Sequence, residues 1–234
     1  GLRVLVEGKP NQYKRIGRPS SVFAPKSSRI ARWLLMHPDK PVAQRDVARA
    51  TDTDEGYTSK IVGRLDHDGL IVKDSSGAIK PRDPDLLLDA WREAYSFSKH
   101  HIIRGHIAAR AGDVLLRQLA DTLEQASVSY AATGLAAAWL LDRFAGFRTT
   151  TLYLAEEPQS ALLDSLSFRE ENRGANVWLV LPNDEGVFHG AAEIDGIRCV
   201  HPVQAYLDLG AHPERAEEAA QQLRTAHLNW RAHG

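Results

Sequence analysis

One segment constrains the fold of this chain more than any other. Between Glu55 and Asp68, the residues Thr58, Ile61, Val62 and Leu65 recur at i, i+3, i+4 and i+7. That spacing gathers side chains on one side of an α-helix. Gly69 stops the run, and Ile71-Val72-Lys73, the turn Asp74-Ser75-Ser76-Gly77 and Ala78-Ile79-Lys80 follow, which predicts a β-hairpin. Upstream, Ser27 or Ser28 is placed to cap a helix that carries Ile30, Trp33 and Leu34 and ends at His37-Pro38. Residues 43–50 predict a second, short helix with Val47 and Ala48 inward, and Thr51–Asp54 is a polar turn. Three helices and then a hairpin is the order of a winged helix-turn-helix. In that fold the third helix enters the DNA major groove and the hairpin, the wing, lies along the backbone.

The outer stripe of the third helix holds Tyr57, Lys60, Arg64 and His67, with Gly56 and Ser59 near its start. Base edges and phosphates are polar and anionic, so a reading helix needs hydrogen-bonding and cationic groups there. Lys73, Lys80 and Arg82 lie in or beside the expected wing. The same stripe also suits a solvated polar face, and a winged helix can serve as a protein-interaction module. Charge adds weight to the nucleic-acid reading. Residues 1–90 carry a net of +4 and residues 91–234 a net of −5, within a total of −1. Residues 1–32 hold eight basic residues against the single acid Glu7. Leu2, Val4 and Val6 alternate like a short strand, and residues 8–26 read as an irregular basic arm with Lys14, Arg15, Arg18 and Lys26. Gly17-Arg18-Pro19 is half of an AT-hook-like core, but Ile16 stands where a second arginine is expected, so phosphate contacts are the better reading of the arm.

Beyond Pro84 strands alternate with helices, the pattern of a layered sheet-plus-helix domain. Helices are expected at Leu86–Tyr95, Asp113–Gln125, Leu135–Phe144, Ser160–Leu166, Pro202–Leu209 and Glu214–Asn229. Strands are expected at His101–Ala109, Ser129–Ala132, Thr149–Leu154 and Val177–Leu181, with a hairpin over residues 187–200 around Asp195-Gly196. The fold class is therefore α+β: a short strand and arm (1–26), a winged helix-turn-helix (27–84), and a mixed-sheet domain (85–234), with a boundary near Pro84 crossed by few contacts.

Tyr130–Trp139 followed by Phe147–Leu154 resembles the minimal nucleotidyltransferase fold, in which a strand enters a Gly-containing turn and a helix. The next strand of that fold carries two carboxylates two residues apart, which share a face and hold Mg²⁺ against nucleotide phosphates. Thr151 and Tyr153 stand at those positions and supply no such charge. Glu156 and Glu157 lie just past the strand and, as neighbours, would face opposite ways. A frame without catalytic residues is expected, hence no enzyme activity, no cofactor and no metal. His100, His101 and His106 lack accompanying ligands at metal spacing. His189, Cys199 and His201 could meet in space, but a lone cysteine is more often a small buried hydrophobe.

The single cysteine excludes an internal disulfide and fits a reducing cytoplasm, and Tyr130–Leu141 is too short to span a bilayer.

Taken in order, Ala24–Ile30, Arg82-Asp83-Pro84 with Leu87–Trp91, Tyr130–Gly134, Ala175-Asn176-Val177, Asp184–Phe188 and His201–Leu209 resemble the AbiEi family of antitoxins from type IV toxin–antitoxin systems. The resemblance implies a winged helix that binds repeats in its own promoter, on double-stranded DNA, and represses transcription. It also implies an antitoxin that counteracts a nucleotidyltransferase toxin without forming a stable complex with it. Two other readings remain open on sequence alone. One is a plain transcription factor whose second domain senses a ligand or mediates oligomerisation, and the other is an active nucleotidyltransferase.

Overall fold

The computed structural model describes residues 21–230. The strand expected at Leu2–Val6 and most of the basic arm, including Lys14, Arg15 and Arg18, lie outside the described residues.

The first elements follow the sequence closely. They are α1 (Pro25–Met36), α2 (Gln44–Ala50), α3 (Glu55–His67) and the antiparallel pair β1 (Ile71–Lys73) and β2 (Ile79–Pro81). Helix α1 starts earlier than expected. Ala24 is its cap and Pro25 its first residue, because proline has no N–H to leave unpaired there. Ser27, read above as a cap, instead donates its hydroxyl back to the Ser21 and Ala24 carbonyls. Val42 exchanges backbone hydrogen bonds with Ile79, so the segment between α1 and α2 is tied to the hairpin.

The rest is α+β with a mixed sheet. Its elements are α4 (Pro84–Ala94), β3 (His101–His106), α5 (Gly112–Gln125), β4 (Tyr130–Thr133), α6 (Gly134–Asp142), β5 (Thr150–Leu154), α7 (Ser160–Ser165), β6 (Arg169–Glu170), β7 (Val177–Leu181), β8 (Ala192–Ile194), β9 (Ile197–Cys199), α8 (Pro202–Leu209) and α9 (Ala216–His227). The sheet order is β6-β3-β7-β5-β4-β9-β8, with β5–β7 and β4–β9 parallel and the other pairs antiparallel. Two expectations change. The strand begun at His101 stops at His106. The hairpin spans only residues 192–199, with Asp195 and Gly196 both at positive φ as a tight two-residue turn requires. Glu185–Phe188 is a single 3-10 turn capped by the Asp184 side chain.

One continuous hydrophobic core joins the two parts of the chain. Helix α1 forms the joint. It touches α2, α3 and β2 on one side and α4, α8 and the Glu185–Phe188 turn on the other. The expectation of a sparsely crossed boundary near Pro84 fails at this helix. Arg29 and Arg32, three residues apart and so on one face of α1, both reach across it: Arg29 Nε and Nη2 donate to the Asp184 carboxylate at 2.8 Å each, and Arg32 Nη2 donates to Gln204 Oε1. Among the described residues no helix is long and apolar enough to cross a membrane.

Candidate nucleic-acid interface and an occupied cleft

Helix α3 separates into the two faces its spacing implies. Thr58, Ile61, Val62 and Leu65 are buried. Ser59, Lys60 and His67 are exposed, and Tyr57 and Arg64 are half-buried. The approach to the helix is fixed by a chain of hydroxyls: Thr51 to the Val47 carbonyl at 2.8 Å, Thr51 to Thr53 at 2.9 Å, and Thr53 to Thr58 at 2.7 Å. Asp54 caps the helix by accepting from the Tyr57 N–H at 2.7 Å. The Lys26 ammonium lies 5.8 Å from the Tyr57 ring centroid, so the first turn of α1 lies beside the start of α3.

The hairpin is less cationic than its sequence suggests. Lys73 is paired with Asp66 of α3 at 2.8 Å, which ties β1 to the helix. At the tip, Asp74 accepts from the Ser76 hydroxyl and the Ser76 and Ala78 N–H groups, and these bonds hold its carboxyl below the usual range. Lys80 is half-buried and Arg82 exposed. Lys60 of α3 and Arg82, just past the hairpin, are exposed, and Arg64 and Lys80 are half-buried.

The second constellation lies where β4, β5 and α8 meet. All five residues of β5 are buried, and Thr151 and Tyr153 share a face. Thr151 Oγ1 is 2.9 Å from His212 Nε2, and the Tyr153 hydroxyl donates to Asp208 at 2.9 Å. Asp208 also accepts from Thr133 and Tyr95 at 2.5 Å each and from Gln204 Nε2 at 2.8 Å. Burial pushes the Asp208 carboxyl up to about 6, against the pull of these four donors. His100 Nε2 lies 2.9 Å from the Tyr95 hydroxyl and 3.2 Å from that of Tyr153, and its Nδ1 accepts from the Asn183 N–H. The turn glycine, Gly134, has φ +57°, and a Cβ there would collide with the His212 imidazole. Side chains thus fill the space beside this face of β5. Glu156 and Glu157 are exposed, beyond the end of the strand.

The remaining histidines separate. His100 is buried in the network, while His101 and His106 are exposed at the two ends of β3. His201 caps α8 through its Nδ1. Cys199 is buried, and burial pushes its thiol up to about 12, which makes it inert. Sequence reasoning missed Arg32, Tyr95, Gln204, Asp208 and His212. One signal was available: Gln204 and Asp208 are polar residues at i, i+4 in the otherwise apolar run Pro202–Leu209, so they share one buried face.

Neither the curated proteins nor the solved structures contain a match to this chain. A family model does match: AbiEi_2, described as a transcriptional regulator and AbiEi antitoxin of a type IV toxin–antitoxin system, covers residues 80–229. That span starts within β2, takes in the whole sheet and its helices, and amounts to well over half of the sequence, so the chain belongs to the AbiEi antitoxin family.

Proposed function

We propose that this protein is the antitoxin of a type IV pair and a repressor of its own promoter. In this reading α1–α3 and the β1–β2 hairpin act as a winged helix-turn-helix, with α3 in the major groove. The sheet domain is a nucleotidyltransferase-like frame that carries antitoxin activity without catalysis and without a stable complex with the toxin. The observation that carries the reading is the division of α3: one face wholly buried, the other presenting Ser59, Lys60 and His67 to solvent with Arg64 alongside. Tyr57, Ser59, Lys60 and Arg64 are the base- and phosphate-facing set, supported by Lys80 and by Lys14, Arg15 and Arg18 of the arm. Lys73 contributes less, because Asp66 neutralises it. Catalysis is disfavoured because Thr151 and Tyr153 are hydrogen-bonded inward and carry no charge to hold Mg²⁺.

The test is a Lys60→Ala/Arg64→Ala double substitution in the full chain, with the melting temperature as a folding control. A bidentate base contact is worth about 1–3 kcal/mol, so affinity for the upstream DNA should fall by at least about fivefold and the salt dependence should flatten. With a nucleotidyltransferase toxin supplied from an unrelated promoter, the same variant should still rescue growth. Wild-type affinity in a folded variant removes α3 from the interface. Loss of rescue together with repression removes the separate role of the sheet domain.

A further inference from the structure

A small cleft with about 40 Å³ of internal room lies between α1, α4 and the loop that carries Asn183. Arg32 of α1 and Trp91 of α4 both line it and are almost wholly buried, at 2% and 1% exposure. Three N–H donors on these two side chains, Arg32 Nε, Arg32 Nη1 and Trp91 Nε1, find no acceptor among the described residues. They lie close together, since the guanidinium carbon is 5.1 Å from the Trp91 ring centroid. Buried donors left unpaired are rare and costly, and three at one cleft ask for an acceptor with several oxygens.

Charge narrows the choice. No carboxylate touches Arg32 among the described residues. Both oxygens of the nearby Asp184 are taken by Arg29, and Asp208 is reached only through the Gln204 amide. Burial draws the Arg32 pKa down, against the pull of Tyr95, Tyr153 and the Asp184 and Asp208 carboxylates, of which Asp184 also lines the cleft. A water molecule would satisfy a donor but not the charge, whereas an anion satisfies both. Lys99, exposed at the rim of the cleft, adds a second cation. We infer that this cleft binds a small oxyanion of phosphate size, held by Arg32 and Trp91 at its floor and by Lys99 at its mouth. The ion comes either as free phosphate or as the phosphate of a mononucleotide, with the Phe23 and Trp91 rings, stacked at 6.1 Å, as its apolar wall.

Isothermal titration of the full chain in chloride buffer, with inorganic phosphate and with AMP as separate probes, tests this. One saturable site is expected for at least one probe. Phosphate binding with AMP excluded identifies the free ion, and tighter AMP binding identifies the nucleotide. Trp91→Phe keeps an aromatic ring but removes one donor and some buried volume, and Lys99→Ala alters only an exposed side chain; the melting temperature of each variant checks that it folds. Each should weaken binding by about threefold or more, the scale of one hydrogen bond or one partly screened charge. Arg32→Met should abolish it. No saturable binding of either probe up to tens of millimolar overturns the inference, as does binding that neither Trp91→Phe nor Lys99→Ala weakens.

Discussion

Asp208 sits at the centre of the sheet domain as a fully buried carboxylate with four donors. Three histidines are held neutral in the folded chain. Burial brings His100, His201 and His212 each down to about 4 from 6.5, helped at His100 and His201 by the charge of Arg32. The unfolded chain takes up these protons first as pH falls, so each histidine contributes stability that is complete above 6.5 and is lost between 6.5 and 4. Asp208 acts in the opposite sense, because its folded value of about 6 exceeds 3.8 and its ionisation disfavours the fold as pH rises through that window. Three sites outweigh one. At about 1.4 kcal/mol per pKa unit, the net loss should amount to several kcal/mol. Thermal melts from pH 7 to pH 4 should show a steady fall in Tm, and His212→Asn should flatten it. A Tm that holds constant across this range would contradict the buried, neutral state of these rings.

At the scale of elements, most helices were legible because their apolar residues repeat with the helical period. The α3 stripe and the α5 leucines, Leu115, Leu116, Leu119 and Leu123, are buried as their spacing implies. What escaped was local chemistry that spacing does not encode. Pro25 could open α1 without a side-chain cap, so the serines behind it misled. The two-residue strand β6 has no periodicity to detect and exists only because β3 offers an edge. The Asp208 network draws on Tyr95, Thr133, Tyr153 and Gln204, and no sequence window holds them together. Caps, by contrast, are readable and testable. Asp54→Ala should cost about 0.5–2 kcal/mol in urea unfolding, while Asp54→Asn, an equally good cap, should cost little. If both variants lose the same amount, the contribution of Asp54 is its charge at the helix N-terminus and not the hydrogen bond to Tyr57.

At the scale of the whole molecule, the sequence suggested two halves divided by charge sign, and the structure joins them through α1. The charge count misled here for a physical reason. Arg29 and Arg32 contribute to the basic excess of the first 32 residues, yet both side chains point inward to Asp184 and Gln204. Burial alone would raise the Asp184 carboxyl, but the Arg29 hydrogen bond and the Gly186 N–H hold it below its usual value. Both side chains are mostly buried, at 9% and 12% exposure, so solvent screens the pair weakly. A double-mutant cycle with Arg29→Ala and Asp184→Ala should give a coupling of about 1.5–3 kcal/mol. A value near zero would show that this ion pair does not hold the two parts together.

This joint also orders events in time. The partners that Arg29 and Arg32 need lie 155 and 172 residues further along the chain. At about 5–20 residues per second, the ribosome delivers them roughly ten to thirty seconds after α1 emerges. Until then Arg29 has only Asp52 and the Thr51 carbonyl within reach, Arg32 lacks its acceptor and an apolar face is uncovered, so α1 reaches its final setting only as synthesis nears its end.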